Sequence, residues 1–191
     1  MVEMGPTILT FALSLVLSAP QFTLRDTDGV VHRQNDWAKS RAVVIFFTTA
    51  DCPLSNNYVP EMNRIQKAYA DRNVSFYAVQ TDTTISDVEV RRHAKDFGFA
   101  FPVLFDPQQM LVRTAGATVT PEVAVLSATG EVLYLGRIDN RIEDFDRRRT
   151  VTTEFDLKDA LDAILDGKAV ARPRTTAVGC GINVVNPETK P

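Results

Sequence analysis

Cysteine is nearly absent from this sequence: Cys52 and Cys180 are the only two. Histidine is as scarce, with His32 and His93 far apart. Ligands so widely scattered offer no metal-binding spacing, so no metal is expected. No apolar run reaches the roughly 20 residues that a bilayer-spanning helix needs, so no stable membrane span is expected. Gly-rich phosphate loops, serine triads and nucleotide fingerprints are missing, and no cofactor is expected. Basic residues do not dominate either. With 21 Lys and Arg against 24 Asp and Glu, the net charge is -3, which argues against nucleic acid as a partner. The run Arg147, Arg148, Arg149 sits among Glu143, Asp144, Asp146 and Glu154 and reads as a solvated, mixed-charge face.

What remains is an ordinary globular composition. The chain has 191 residues, 45% hydrophobic and 24% charged, enough for one domain with a sizeable core. Residues 7–19, TILTFALSLVLSA, form an uncharged apolar stretch of a length that suits a secretory signal. Glu3 and the lack of Lys or Arg before it do not fit such a signal, and a buried element with a cytoplasmic protein is the alternative. The expected division is a signal peptide at 1–18, a domain at 19–170 and a tail at 171–191 that carries Cys180, with export from the cytoplasm.

Hydrophobic patterning along the domain alternates. AVVIFFT at 42–48 and VSFYAVQT at 74–81 are continuous apolar runs, read as buried strands. Residues 54–72 carry Tyr58, Met62, Ile65 and Tyr69 at helical spacing. Residues 85–98 predict a helix capped by Ser86 and ended by Gly98. A short strand at 101–106, a short helix at 107–116, a hairpin at 122–138 turning at Thr129-Gly130, and a helix at 154–168 follow. The order predicts an α/β fold: a central mixed sheet, parallel in its first strands, with an antiparallel hairpin at the edge and helices on both faces.

In such sheets, sites form beyond the carboxyl ends of the strands. Cys52 falls there, between the first core strand and the first long helix. Pro53 suits the first helical position, which puts Cys52 at or beside the N-cap. The helix dipole and free N–H groups at that place favour a thiolate, the nucleophilic form of cysteine. Asp51 opposes this unless it points into solvent.

Several stretches together resemble one family. SAPQFTLRDTDG at 18–29, VVIFFTTADCPLS at 43–55, Pro60 eight residues after the cysteine, and GATVTPEVAVLSATGEVLYLGRID at 116–139 are similar to thioredoxin-like redoxins of the AhpC/TSA, or peroxiredoxin-like, superfamily. The C-terminal GCGI resembles a bacterial subgroup with a Gly-Cys-x-Ile motif. The resemblance implies a thioredoxin-like fold and thiol–disulfide exchange or peroxide reduction, with Cys52 as nucleophile. It implies a cis bond before Pro121, which would offer the Thr120 backbone to a bound peptide. Protein dithiols or disulfides, or hydroperoxides, are the implied substrates, with an external thiol as reductant.

The departures narrow this. Ser55 replaces the second cysteine of C-x-x-C. Thr49 matches the peroxiredoxin threonine, but Ile45 stands where that family has proline. Phe46 stands where thioredoxins bury an acid. A serine hydroxyl is too weak to resolve a mixed disulfide. Within the chain only Cys180 is a thiol that can. About 14 residues separate it from the last helix, enough to reach about 45 Å when extended. Cys180 is thus a resolving partner, an independent thiol, or half of a permanent staple. Cys52, Cys180, Thr49 and Pro121 are the candidate catalytic residues. Pro53, Ser55, Asn56, Thr120 and Arg141 are candidates for substrate binding. Asn56 and Asn57 are placed to donate near the thiolate or merely to cap. Arg137 and Arg141 are read as solvated in the first instance, His93 as exposed, and Trp37 as core cover. The alternative to an enzyme is a thioredoxin-fold module for binding, redox sensing or metal delivery.

Overall fold

A computed structural model describes residues 22–185. The segment expected to be a signal, 1–18, lies outside them.

The apolar run at 42–48 forms an interior strand because every side chain on it can be buried. In chain order the elements are β1 (Thr23–Asp26), β2 (Val31–Arg33), a 3₁₀ turn (Gln34–Lys39), β3 (Ala42–Thr48), α1 (Pro53–Ala68), β4 (Val74–Gln80), α2 (Asp87–Phe97) and β5 (Val103–Phe105). Then come α3 (Met110–Ala115), β6 (Val119–Thr120), β7 (Glu122–Leu126), β8 (Val132–Gly136), β9 (Ile142–Asp144), β10 (Arg147–Arg148), α4 (Asp156–Leu165) and β11 (Cys180–Gly181). Seven strands make one sheet in the order β2-β1-β5-β4-β3-β7-β8. β3, β4 and β5 are parallel, and β7 and β8 add the antiparallel hairpin. This is the expected mixed sheet of a thioredoxin-like fold.

All seven residues of β3 are buried, and their alternation divides the core. Val44 and Phe46 face a cluster with Met62 and Ile65 of α1 and Leu157 and Leu161 of α4. Val43, Ile45 and Phe47 face the other side, with Trp37, Leu111 and Val112. Helices therefore cover both faces, and the sheet is anchored between them.

Local rules set most boundaries. Ser86 accepts from Glu89 N, whose carboxylate answers Ser86 N, and α2 ends at Gly98 with φ 66°. Several boundaries differ from expectation: the last helix is Asp156–Leu165 rather than 154–168, and the short strand is Val103–Phe105 rather than 101–106. The first helix stops at Ala68, and the chain to Arg72 tightens into a 3₁₀ turn ending at Asn73, φ 55°. The short helix starts at Met110 rather than at residue 107. Gln109 is in the left-handed region at φ 49°, and Asp106 caps Met110 N and Leu111 N in place of another turn. The Arg147–Arg149 run is exposed as expected, with Arg147 and Arg149 both paired to Glu143.

The tail is not loose. Leu135 N donates to Pro173 O, and Thr175 N to Leu135 O, so it runs along the open edge of β8. The Thr175 hydroxyl meets Tyr134 Oη at 2.7 Å. Arg172 pairs with Glu154 and Asp156, which also hold Arg137. The tail then crosses to β6, where β11 pairs antiparallel to it.

Candidate active site

β3 ends at Thr48, and four residues later Cys52 serves as N-cap of α1, with Pro53 at the first helical position. Its backbone is extended (φ -90°, ψ 107°), its carbonyl accepts from Asn56 N at 3.0 Å, and its N–H donates to Thr49 O. The turn therefore presents the sulfur at the positive end of a 16-residue helix. Asp51, which would oppose a thiolate, is exposed.

The Thr120–Pro121 bond is cis. It brings the end of β6 against the helix start, and Cys52 Sγ lies 3.0 Å from Thr120 O. In register with Thr120 stands Cys180, bonded to Cys52 in a disulfide that spans 128 residues. The two Cα atoms are 6.0 Å apart, within the ordinary span for a bridge. Ile182 N donates to Thr118 O, which continues the ladder past the cysteine. Gly179 fits only as glycine, since a Cβ there would lie 2.2 Å from Thr120 O.

With Cys180 bonded to it, Cys52 is fully buried, whereas Cys180 is half-buried. A cleft of about 360 Å³ opens beside the bond, bordered by Thr49, Asp51, Thr81, Asp82, Thr84 and Asn183.

The other expected residues divide. Thr49 borders the cleft, Pro53 is exposed beside Cys52 in the chain, and Thr120 and Pro121 are buried. Ser55 is fully buried, closed to any substrate in this oxidised form, and its hydroxyl has no partner among the described residues. The Thr120 hydroxyl is buried and unpartnered in the same sense.

Three expectations need correction. Asn56 is engaged with the turn and with α2, with no bond to the sulfur among the described residues: its Nδ2 donates to Ala50 O at 2.8 Å and its Oδ1 meets His93 Nε2 at 2.7 Å. His93, expected to be exposed, is buried against Phe97 and Phe99, because α2 turns that face onto the active-site turn. Burial holds its imidazole below the ordinary value, and Asp51 and Asp96 pull it part of the way back. Arg137 and Arg141 are not free in solvent. Arg141 chelates Asp139, pairs with Glu61 and lies over the Tyr58 ring, while Tyr58 Oη donates to Asp139. Neither arginine borders the cleft at the disulfide.

Sequence reasoning missed Gln109 and the extent of the tail's docking. Gln109 lies at the start of α3, far along the chain from Cys180, and no periodicity or motif marks it.

Comparison with known proteins agrees with this fold. A family model described as Redoxin matches residues 17–153. The thiol-disulfide oxidoreductase ResA of Geobacillus thermodenitrificans is 27% identical over 121 residues, 63% of this chain and 68% of that protein. A conserved protein of Geobacillus kaustophilus has a solved structure that superposes with TM-score 0.74 at 27% identity, covering 89% of this chain and 91% of the other. A hypothetical protein of Sinorhizobium meliloti superposes with TM-score 0.72 at 24% identity, covering 90% and 95%. The Redoxin match ends before Cys180, so the second sulfur rests on the geometry alone.

Proposed function

This chain belongs to the redoxin family and is a thiol-based oxidoreductase, and on that premise we propose that Cys52 and Cys180 are a redox pair serving protein disulfides. The observation that carries the reading is the bond between a helix N-cap cysteine and a cysteine held across from the residue before a cis proline.

In the reduced protein, Cys52 thiolate attacks one sulfur of a substrate disulfide. The substrate S–S bond breaks, the released sulfur takes a proton from water, and a mixed disulfide forms on Cys52. Cys180 thiolate then attacks Cys52 Sγ, expels the second substrate sulfur, and closes the intrachain bond. Two electrons have passed to the substrate. The dipole of α1 stabilises Cys52 as the attacking and leaving thiolate. Ser55 stands at the third helical position, where a side chain reaches back to the N-cap. Its buried hydroxyl is the donor for that thiolate. Thr120 and Pro121 hold the extended segment that carries the second sulfur, whether from the tail or from a substrate. Thr49 fixes the turn by accepting from Cys52 N.

Regeneration takes an external dithiol. Its thiolate reaches half-buried Cys180 first, since Cys52 is covered. The S–S bond breaks and Cys52 leaves as thiolate. The second thiol of the reductant attacks the mixed disulfide on Cys180, and the two protons of the dithiol end on the two cysteines.

An extracytoplasmic place for this exchange is supported by the uncharged segment 7–19 and by the pairing of both cysteines. Among the described residues no helix is long and apolar enough to cross a membrane. Detecting the N-terminus of the protein in its native host tests this: a chain beginning near Ala19 agrees, and an intact Met1 in the cytoplasm does not. The reaction itself is tested by alkylating free thiols and weighing the protein. A dithiol should turn the bridged form into two free thiols, and a protein disulfide should restore the bridge.

A further inference from the structure

Gln109 is fully buried, yet its backbone sits in the left-handed region that side chains seldom adopt. Nothing in its φ accounts for a glutamine there. Its amide does. Nε2 donates to Thr81 O and to Asn183 O, each at 2.8 Å, and Oε1 accepts from Val185 N at 2.7 Å. Both donors and one acceptor lone pair are thus used, and two of the three partners belong to the tail.

The body-side partner is well placed. Thr81 follows β4, and its N–H and hydroxyl both bond to Thr48 O at the end of the strand that leads into Cys52. The tail-side partners lie three and five residues beyond Cys180. Between them and the cysteine, Gly181 pairs with Val119 and Ile182 N bonds to Thr118 O. Gln109 is therefore the far anchor of the segment whose middle carries the resolving sulfur.

We propose that Gln109 is a positioning residue for Cys180: its side-chain amide is the receptor for residues 183–185, and by holding them it keeps the tail strand on β6 and the two sulfurs together. The proposal rests on the reading of Cys180 as the resolving thiol. Ring closure between Cys52 and Cys180 is intramolecular, so its equilibrium follows the fraction of time the tail occupies that groove. Each buried hydrogen bond contributes a factor of a few to about tenfold. Loss of the two tail bonds shifts the closure equilibrium by about tenfold or more. The chemistry read out is exchange with dithiothreitol. One protein S–S bond breaks, one cyclic S–S bond forms in the reagent, and its two thiol protons pass to the cysteines.

The test uses four full-length proteins: the wild type, Gln109→Ala, Val185→Pro and the double variant. Val185→Pro removes the N–H that Gln109 accepts, at a residue 46% exposed, and leaves the Thr81 bond in place. Each is equilibrated over a range of reduced and oxidised dithiothreitol, and the bridged fraction is read by alkylation and mass. Each single variant should be about tenfold easier to reduce, a rise of about 30 mV in potential for this two-electron couple. The double variant should exceed the larger single by little, because both changes break one clamp. Wild-type equilibria in the two single variants overturn the proposal. So do fully additive shifts, which would mean that Gln109 acts through Thr81 and the body of the domain. Failure of the parent reading looks different: the equilibria still shift, but no variant changes turnover of a protein disulfide.

Discussion

Cys180 stands directly across from Thr120 in the β6–β11 ladder, while Cys52 Sγ lies 3.0 Å from the carbonyl oxygen of that same Thr120. One backbone unit before a cis proline thus holds both sulfurs. The tail occupies that strand edge, and on the proposed function a substrate peptide competes with it for the place.

That competition makes Gly179 sensitive. In Gly179→Ala the new Cβ would meet Thr120 O, Thr120 C and Pro121 N, all backbone atoms that cannot swing away. Overpacking of this kind costs about 1–3 kcal/mol, and here the tail yields before the core does. Gly179→Ala should make the Cys52–Cys180 bond about five- to a hundredfold easier to reduce in a dithiothreitol equilibrium, with little change in thermal stability of the reduced protein. An unchanged equilibrium would mean that the ladder does not hold Cys180.

Ser55 supplies a second prediction. A buried hydroxyl without a partner is costly unless some state of the protein satisfies it. On the proposed mechanism the Cys52 thiolate is that state. In a Cys180→Ser background, Ser55→Ala should lower the iodoacetamide reactivity of Cys52 at neutral pH by about tenfold, the worth of one hydrogen bond to a charge. Equal reactivity would assign the thiolate's stability to the helix dipole alone.

His93 predicts a pH dependence. Burial depresses its proton affinity in the folded state. The unfolded chain then binds a proton that the native state refuses, so the stabilising contribution is complete above the ordinary histidine range, about 6.5. It is lost as pH falls through the lower, folded value. The melting temperature should decline between about pH 7.5 and pH 5.5, and His93→Gln, which keeps a donor for Asn56, should flatten the decline. Burial raises Asp106 and Glu122 above the usual carboxylate range, with the opposite sign, but they act equally in both proteins and cancel in the comparison. Parallel curves for the two proteins would contradict this account of His93.

What could be read ahead of the structure was local. A seven-residue apolar run, a Cys-Pro step into an amphipathic helix, and a Ser-x-x-Glu box each act over a few residues, and each formed as expected. His93 has no local mark of burial because its own helix is highly charged, and its contacts with Asn56 on α1 and with Phe97 and Phe99 are what cover it. The pairing of Cys52 with Cys180 was within reach of the tail but not determined by it. It depends on the anchors at Leu135, Thr118 and Gln109, none of which has a sequence signature. Arg141 was visible as a cation after the hairpin, but its engagement by Asp139 and Glu61 depends on packing between that loop and α1.

The central claim, that Cys52 attacks and Cys180 resolves, is tested most directly by following a protein disulfide substrate with the two single-cysteine variants. Cys52→Ser should be inert. Cys180→Ser should react once per molecule and stop as a mixed disulfide on Cys52, identified by intact mass and peptide mapping, while the unmodified protein turns over repeatedly with a dithiol. Full turnover by Cys180→Ser would place resolution on another molecule, and an inert unmodified protein would leave a binding module in place of an enzyme.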